Sequence, residues 1–352
     1  MYKSIFMFVL GLGFLLKGAD TFVEAASRIA KKMGVSDFII GLTLTALGTS
    51  IPELASSISA SIEEYHGLVI GNIVGSNIAN IGLVLGICAF IGTFRTGKRM
   101  YQRDGYVMML CVILLFILTQ DKVLGRVEAV IFLFIYFVYI MFLVKTNSPR
   151  AKKYKFHDFI EYMFNFRYVT SIRSAVVRRA MNKQPSQRTT TDHKILQMFK
   201  EGLIKDILIS LLSIVAIVFG SKYLVDGAIE VAVLLSVQEN IIGLSLIAVG
   251  TSMPELLISI NAVRKGYGTM VVGNVLGSNI ANILLISSVS SLISPLRLTQ
   301  MSFLYTIPIL GFFSLVLLYF IKSNWKIGKK EGVIALSSYI IFIIYAFYSG
   351  WS

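Results

Sequence analysis

The chain has 352 residues, of which 55% are hydrophobic and 15% are charged, and its mean hydropathy is +0.75. This composition excludes a soluble globular domain, because a soluble core cannot accommodate so many long apolar runs, whereas a bilayer can. The formal net charge of +14 does not indicate a nucleic-acid partner, because the basic residues concentrate in alternate loops between the apolar runs.

In chain order, ten apolar runs have about the 17–25 residues that a membrane-spanning helix needs. Five of them precede a polar stretch and five follow it. We therefore predict an all-α polytopic membrane protein of ten transmembrane helices, with a first repeat at 1–145, a basic loop at 146–202 and a second repeat at 203–352. The ten runs lie at 3–24, 36–62, 68–94, 105–121, 124–144, 203–228, 240–263, 269–294, 301–321 and 332–350.

The loops between these runs differ in charge. Basic residues follow runs one, three, seven and nine, and the central loop has twelve Lys/Arg against four Asp/Glu. The loops after runs two, six and eight are poor in basic residues, with Arg297 alone after run eight. Since positive loops stay on the cytoplasmic side, we expect a multi-pass protein of the cell membrane, with both termini outside and 146–202 in the cytoplasm.

A stretch of the first repeat recurs in the second. Residues 18–82 align without a gap over residues 220–284, a constant offset of 202, with 31 identities in 65 positions. Because each half has an odd number of runs, the second copy enters the membrane from the opposite face, which predicts two inverted-topology repeats of five helices. Glu53 and Glu255, one in each copy, would then meet near the bilayer midplane.

These two glutamates lie within otherwise apolar runs. A carboxylate at the bilayer centre costs roughly 2.5–3.5 kcal/mol on insertion scales. Two carboxylates about 4 Å apart also repel by about 4 kcal/mol at an effective dielectric constant near 20. A divalent cation neutralises both, and so does protonation. The glutamates therefore predict a cation site, a proton site, or a site that alternates between the two.

The neighbours of the glutamates favour metal ions. Thr49 and Ser50 precede Glu53 by four and three residues and share a helix face with it. Pro52 removes a backbone donor, which is expected to free carbonyls from Ala46 onward for coordination. The second copy repeats this pattern at Gly250, Thr251, Ser252, Pro254 and Glu255, with Ala248 equivalent to Ala46. Oxygen ligands alone are typical of sites for hard cations such as Ca²⁺ or Na⁺.

A second duplicated block, GNxxGSNxAN, supplies further oxygen atoms. Ser76 and Asn80 share a helix face in the first copy, as Ser278 and Asn282 do in the second. Gly71 and Gly75 form a small-xxx-small pair, which predicts close approach of this helix to a neighbour. Gly273 and Gly277 form the equivalent pair.

The paired GTSxPE and GNxxGSNxxN motifs resemble the α-repeats of the cation/Ca²⁺ antiporter superfamily, and most of all the prokaryotic sodium/calcium exchangers. The resemblance implies a Ca²⁺ site at Glu53 and Glu255 with backbone oxygens, flanked by Na⁺ sites. The other positions that match the family's ion sites are Thr49, Ser50, Ser76, Asn80, Thr251, Ser252, Ser278 and Asn282.

One position bears on the subtype. Some members of the superfamily, including the potassium-dependent ones, have Asp where this chain has Asn282. The resemblance therefore implies an electrogenic, K⁺-independent antiporter that exports Ca²⁺ in exchange for Na⁺ by alternating access. The transported ions are Ca²⁺ and Na⁺, and no cofactor is expected.

Two other functions stay open at this point. A proton/calcium antiporter ranks second, because that branch of the superfamily differs in its acidic motifs. A cation channel would use the duplicated motifs to line a pore. An enzyme is not expected, because no nucleophile–base pair or transition-metal ligand set appears in the sequence. The expected partners are the two ions and the lipid bilayer, and the sequence assigns no oligomeric state.

Overall fold

The computed structural model describes residues 2–32, 46–98, 100–146, 156–164 and 202–349. Within these ranges, eight helices are long and apolar enough to cross a membrane. A ninth span results if the bent pair Glu239–Thr251 and Met253–Arg264 counts as one. The predicted run 36–62 begins in residues 33–45, outside the described residues. The mostly helical, multi-pass architecture is confirmed, and the tenth span stays a prediction.

The described part of the first half contains six helices and two short strands. They are α1 (Tyr2–Lys32), α2 (Ala46–Thr49), α3 (Ile51–Ile62), α4 (His66–Ile91), β1 (Phe94–Arg95), α5 (Met100–Leu118), β2 (Val123–Leu124) and α6 (Arg126–Thr146). Most of the loop 146–202 lies outside the described residues. Its described part forms α7 (Phe156–Phe164), in which Phe159 packs on Tyr139 and Phe142 of α6.

The second half repeats this order. Its elements are α8 (Leu203–Leu235), α9 (Glu239–Thr251), α10 (Met253–Arg264), α11 (Gly268–Ile293), β3 (Leu296–Arg297), α12 (Ser302–Lys322), β4 (Lys326–Ile327) and α13 (Lys329–Ser349). Helices α1 and α8 extend past the predicted ends at 24 and 228. At the end of α1, Arg28 and Lys32 each lie 2.7 Å from the Asp206 carboxylate of α8, which stabilises the additional charged turn.

Helices α1 and α8 pack together at glycines. A Cβ atom at Gly11 would lie 2.4 Å from the backbone nitrogen of Leu224, and one at Gly220 would lie 2.5 Å from that of Leu15. Only glycine allows two helix backbones to approach so closely. The two helices therefore form one closely packed pair.

Helices α4 and α11 are the buried centre of the fold. Every residue of α4 from Leu68 to Ala79 is buried. In both helices a π-helical segment begins at the last residue of the duplicated GNxxGSNxAN motif, at Asn80–Val84 and at Asn282–Ile286. Such π-helical segments occur often at functional sites, because they shift the side chains that follow them. Each segment here begins at a predicted site asparagine.

Two strand pairs connect the halves, which the hydropathy pattern did not predict. β1 pairs antiparallel with β4, and β2 pairs antiparallel with β3. β1 and β3 occupy equivalent positions in the duplication, since Phe94 and Leu296 differ by the offset of 202. Each pair is only two residues per strand, too short for sequence periodicity to reveal. Paired loops lie on the same side of the protein.

Candidate ion-binding site

The site begins at two helix breaks. The chain leaves helical geometry at Ser50, between α2 and α3, and at Ser252, between α9 and α10. The second break bends the helix pair by 44°. Pro52 and Pro254 follow in the first turn of the next helix, where a missing N–H is tolerated. Because of these breaks, Glu53 and Glu255 lie in the first turns of α3 and α10.

The breaks change which backbone carbonyls are free. The Ala248 carbonyl accepts the Ser252 N–H at 3.1 Å and the Thr251 hydroxyl at 3.5 Å, so it retains partners from its own helix. Pro254 has no N–H for the carbonyl of Gly250, four residues earlier. In the first copy, Ala46 begins α2, and the residues before it lie outside the described part of the chain. The carbonyl that Pro254 leaves without its helical donor is therefore that of Gly250, within the predicted stretch that begins at Ala248.

Both glutamates are fully enclosed. Glu53 and Glu255 are each 1% exposed. The Ser252 hydroxyl donates to Oε1 of Glu53 over 3.2 Å, and the Ser278 hydroxyl donates to Oε1 of Glu255 over 3.4 Å. The second oxygen of each carboxylate, Oε2, accepts no hydrogen bond from the described residues. Each glutamate therefore points one free carboxylate oxygen into the protein interior.

At the breaks, each copy supplies hydroxyl side chains to the glutamate of the other copy. Thr251 and Ser252 of the second copy contact the Glu53 carboxylate of the first. In return, the Thr49 hydroxyl of the first copy contacts the Glu255 carboxylate of the second. The structure thus brings the duplicated Thr-Ser-x-Pro-Glu segments together in one site, as the duplication predicted. Sequence spacing alone pairs Thr49 with Glu53 and does not reveal this exchange.

No cation of the protein balances the two glutamates among the described residues. The other buried charged side chains in these ranges are Arg103, which pairs with Asp104 at 2.7 Å, and Asp206, which pairs with α1. A buried carboxylate without a counter-charge is strongly destabilising. A bound cation would supply the missing charge, and the oxygen-only surroundings fit a hard metal ion.

A hydrogen-bond centre beside Glu53 was missed from the sequence. The Asn72 amide donates to the Glu53 carbonyl at 3.2 Å and to the Ser57 hydroxyl at 2.9 Å. Its oxygen accepts from Ser76 at 3.4 Å and from Thr251 at 3.3 Å. Asn72 therefore links α3, α4 and α9 and fixes the predicted residues Ser76 and Thr251. The sequence does contain a signal for Asn72, because the second copy has the equivalent residue Asn274.

The remaining predicted asparagines lie where α4 meets α11. The Asn80 amide donates to Oδ1 of Asn279 at 3.1 Å, and the Asn279 amide donates to the Asn77 carbonyl at 3.3 Å. Neither amide atom of Asn282 has a hydrogen-bond partner among the described residues, nor does Oδ1 of Asn80 or the Ser50 hydroxyl. These buried oxygens add potential ligands, although the structure does not bond Asn80 or Asn282 to either glutamate.

The glycines of the second block act as predicted in the first copy. A Cβ atom at Gly71 would lie 2.4 Å from the Asn240 carbonyl oxygen, and one at Gly75 would lie 2.6 Å from Cα of Leu244. Helix α4 therefore contacts the backbone of α9 directly. The positions equivalent to Asn240 and Leu244 are residues 38 and 42, which lie outside the described residues, so the partner of Gly273 and Gly277 stays a prediction.

Comparison with known proteins identifies relatives over nearly the whole chain. A family model described as "Sodium/calcium exchanger protein" matches residues 3–145 and 205–348. The unmatched interval between them is essentially the basic loop.

Individual relatives agree with this match. The chain is 44% identical over 345 residues to the sodium/calcium exchanger MaX1 of Methanosarcina acetivorans, covering 98% of this chain and 99% of that protein. It is 32% identical over 338 residues to the uncharacterized membrane protein MJ0091 of Methanocaldococcus jannaschii, covering 96% and 95%. Among solved structures, the sodium-calcium exchanger NCX_Mj soaked with Na⁺ and Sr²⁺ is similar at a TM-score of 0.60 and 31% identity, covering 97% of each chain.

Proposed function

This chain belongs to the sodium/calcium exchanger protein family, and we propose that it exports Ca²⁺ from the cell in exchange for Na⁺ by alternating access. The observation that carries the proposal is the pair of enclosed glutamates, each 1% exposed and with a free Oε2 atom. Two carboxylates without a protein cation need either a cation from outside the chain or protons to balance them, and the oxygen-only surroundings favour a metal ion.

Exchange follows from competition for shared ligands. Ca²⁺ prefers six to eight oxygen ligands, and one ion between Glu53 and Glu255 neutralises both. Na⁺ ions that use the same carboxylates, with the hydroxyls of Thr49, Ser50, Thr251 and Ser252, cannot be bound at the same time as Ca²⁺. The site therefore releases one kind of ion when it takes up the other, which gives antiport rather than co-transport. Ser76, Asn80, Ser278 and Asn282, with carbonyls near Ala46 and Ala248, complete the proposed ligand set.

The broken helices support transport across the bilayer. Discontinuous helices at the midplane expose carbonyl ends to cations in transporters of inverted-repeat design. The strand pairs also support inverted repeats, since β1 and β4 join the two loops predicted to be cytoplasmic. β2 and β3 join two loops predicted to be outside. A topology that placed either pair of loops on opposite faces would be incompatible with this pairing.

We expect cysteine labelling to place both termini outside and residues 146–202 in the cytoplasm. Single cysteines at Lys98 and Lys326, near β1 and β4, should resist an impermeant external reagent in intact cells, because both loops are basic. A cysteine at Arg297 should react. Cys88 and Cys111 are buried and are replaced first. External labelling at Lys98 or Lys326 would contradict the proposed orientation.

We expect exchange to respond to membrane voltage and not to need K⁺. Glu53 and Glu255 give the site two negative charges when both are ionised, so bound Ca²⁺ leaves it neutral and more than two Na⁺ leave it positive. When more than two Na⁺ leave a vesicle for each Ca²⁺ that enters, positive charge leaves the vesicle. A potential that is negative inside should then oppose Ca²⁺ uptake, by about 2.3 kcal/mol per charge per 100 mV.

Proteoliposomes with a clamped potential measure this effect. Initial Ca²⁺ uptake driven by internal Na⁺ should fall as the interior is made negative, and it should proceed at full rate when choline replaces all K⁺. A rate unaffected by voltage would indicate two Na⁺ per Ca²⁺. A requirement for K⁺ would show that the absence of Asp at position 282 does not determine the subtype.

A further inference from the structure

A groove on the membrane-facing side of the protein has no assigned role. It lies between α3 and α8, with Phe22 of α1 at one wall, and has a volume of about 480 Å³. Its walls are apolar side chains such as Ile51, Ile58, Ile217 and Val218. This volume is within the range of small-molecule sites, roughly 300–1,000 Å³. The groove can therefore hold a substantial apolar ligand.

The length of the groove corresponds to one leaflet of a bilayer. Its α3 wall runs from Ile51, beside the ion site, to the end of the helix at Ile62, which is about 17 Å at about 1.5 Å per residue. One leaflet contributes about half of the roughly 30 Å hydrocarbon core. On α8, Lys222 lies about 29 Å from the start of the helix by the same rise, at the far boundary of that core. The groove thus extends from mid-membrane depth to one interface.

The charges of the groove lie at its interfacial end. Glu63 and Lys222 both line it and both are exposed. Neither forms an ion pair within 4.0 Å among the residues that the structure describes. Asp226 is close enough to interact electrostatically with both of them, and also with Glu230. This end therefore presents one cation and several carboxylates, while the other end is apolar.

We infer that the groove binds one acyl chain of a zwitterionic phospholipid, with Lys222 against the phosphate and Glu63 against the ammonium group of the headgroup. The apolar walls match the chain, and the opposite charges at the mouth match the two charges of such a headgroup. The excess of carboxylates disfavours a lipid with net negative charge. This inference goes beyond ion exchange and does not depend on it.

The position of the groove gives the lipid a route to influence transport. One wall, α3, begins two residues before Glu53, and the other wall belongs to the closely packed α1–α8 pair. An acyl chain between these walls fixes their separation. Any movement of the α1–α8 pair against α3 would then require the chain to move or leave.

Native mass spectrometry of the full-length protein tests the site without any transport measurement. The purified protein in detergent is titrated with a phosphatidylcholine. We expect the first lipid to bind at least tenfold more tightly than the following ones. Val218→Trp adds bulk at the rim, where Val218 is 59% exposed, and should abolish this tight step. Leu212→Trp, on the same helix at a site 69% exposed and outside the groove, is the matched control and should retain it.

The headgroup assignment is tested in the same titration. Lys222→Gln and Glu63→Gln should each weaken the first lipid about two- to fivefold, the effect of an exposed charge pair. Phosphatidylglycerol should bind more weakly than phosphatidylcholine. The acyl-chain site would be overturned if the first lipid bound with the same affinity as the following ones. It would also be overturned if a tight first binding step remained in Val218→Trp. If neither Lys222→Gln nor Glu63→Gln changed the affinity of the first lipid, the zwitterionic phospholipid would be the wrong occupant.

Discussion

Glu53→Gln and Glu255→Gln should each abolish Ca²⁺ transport while the protein stays folded. Each substitution keeps the shape of the side chain and removes one of the two charges that attract a divalent ion. Loss of one partner of a buried ionic interaction costs about 3–5 kcal/mol. At about 1.4 kcal/mol per factor of ten, this predicts a loss of more than a hundredfold in apparent Ca²⁺ affinity, measured as Ca²⁺ uptake into proteoliposomes.

The control for these variants is Glu64→Gln. Glu64 is exposed and follows the end of α3, so its charge is screened by water and its loss should leave the uptake rate within about twofold, as for other exposed charges. Thermal unfolding in detergent should show that the buried variants remain folded, because removing an unbalanced buried charge relieves a penalty. Near-normal Ca²⁺ uptake by either folded variant would contradict the assignment of the glutamates to the ion site.

Gly71→Ala and Gly75→Ala should separate α4 from α9 and destabilise the protein. In each case the added methyl group would meet backbone atoms at 2.4–2.6 Å, and a backbone cannot move aside as a side chain can. Overpacking of this kind costs about 1–3 kcal/mol or more. Because α4 carries Asn72 and α9 carries Thr251, transport should decline together with stability. Thermal unfolding and Na⁺-driven Ca²⁺ uptake measure the two effects.

Gly13→Ala is the matched control for these glycines. Gly13 also lies within a membrane helix, and a Cβ atom there meets no described atom within 4 Å. Its replacement should leave stability unchanged or slightly raised, because Ala favours a helix over Gly by about 1 kcal/mol. If Gly71→Ala were as stable as Gly13→Ala, the close contact of α4 with α9 would be wrong.

Much of the fold could be predicted from the sequence, for physical reasons. A bilayer imposes length and polarity limits on every spanning helix, so hydropathy identifies runs such as those that became α4 and α11. The constant offset of 202 likewise revealed which residues occupy equivalent positions. The close contact at Gly71 could also be predicted, because small residues four positions apart in a membrane helix commonly mark a face that packs against another helix.

The details of the site could not be predicted in the same way. Helix periodicity relates Thr49 to Glu53 within one helix, yet the structure brings Thr49 to Glu255, a contact that depends on how the two copies pack. Asn72 was passed over because a buried asparagine in a membrane helix is commonly interhelical packing, and only its five partners reveal its central position. The strand pairs carry no periodicity at two residues each.

Ca²⁺ uptake into proteoliposomes under one imposed gradient at a time tests the central claim most directly. Purified protein is reconstituted, and external Ca²⁺ is added with an outward gradient of Na⁺, of K⁺ or of protons, or with none. We expect rapid uptake with the Na⁺ gradient alone and none in the other three conditions. Uptake driven by a pH gradient without Na⁺ would identify a proton/calcium antiporter whose glutamates carry protons. Equally fast uptake with no counter-ion would contradict exchange and identify a channel.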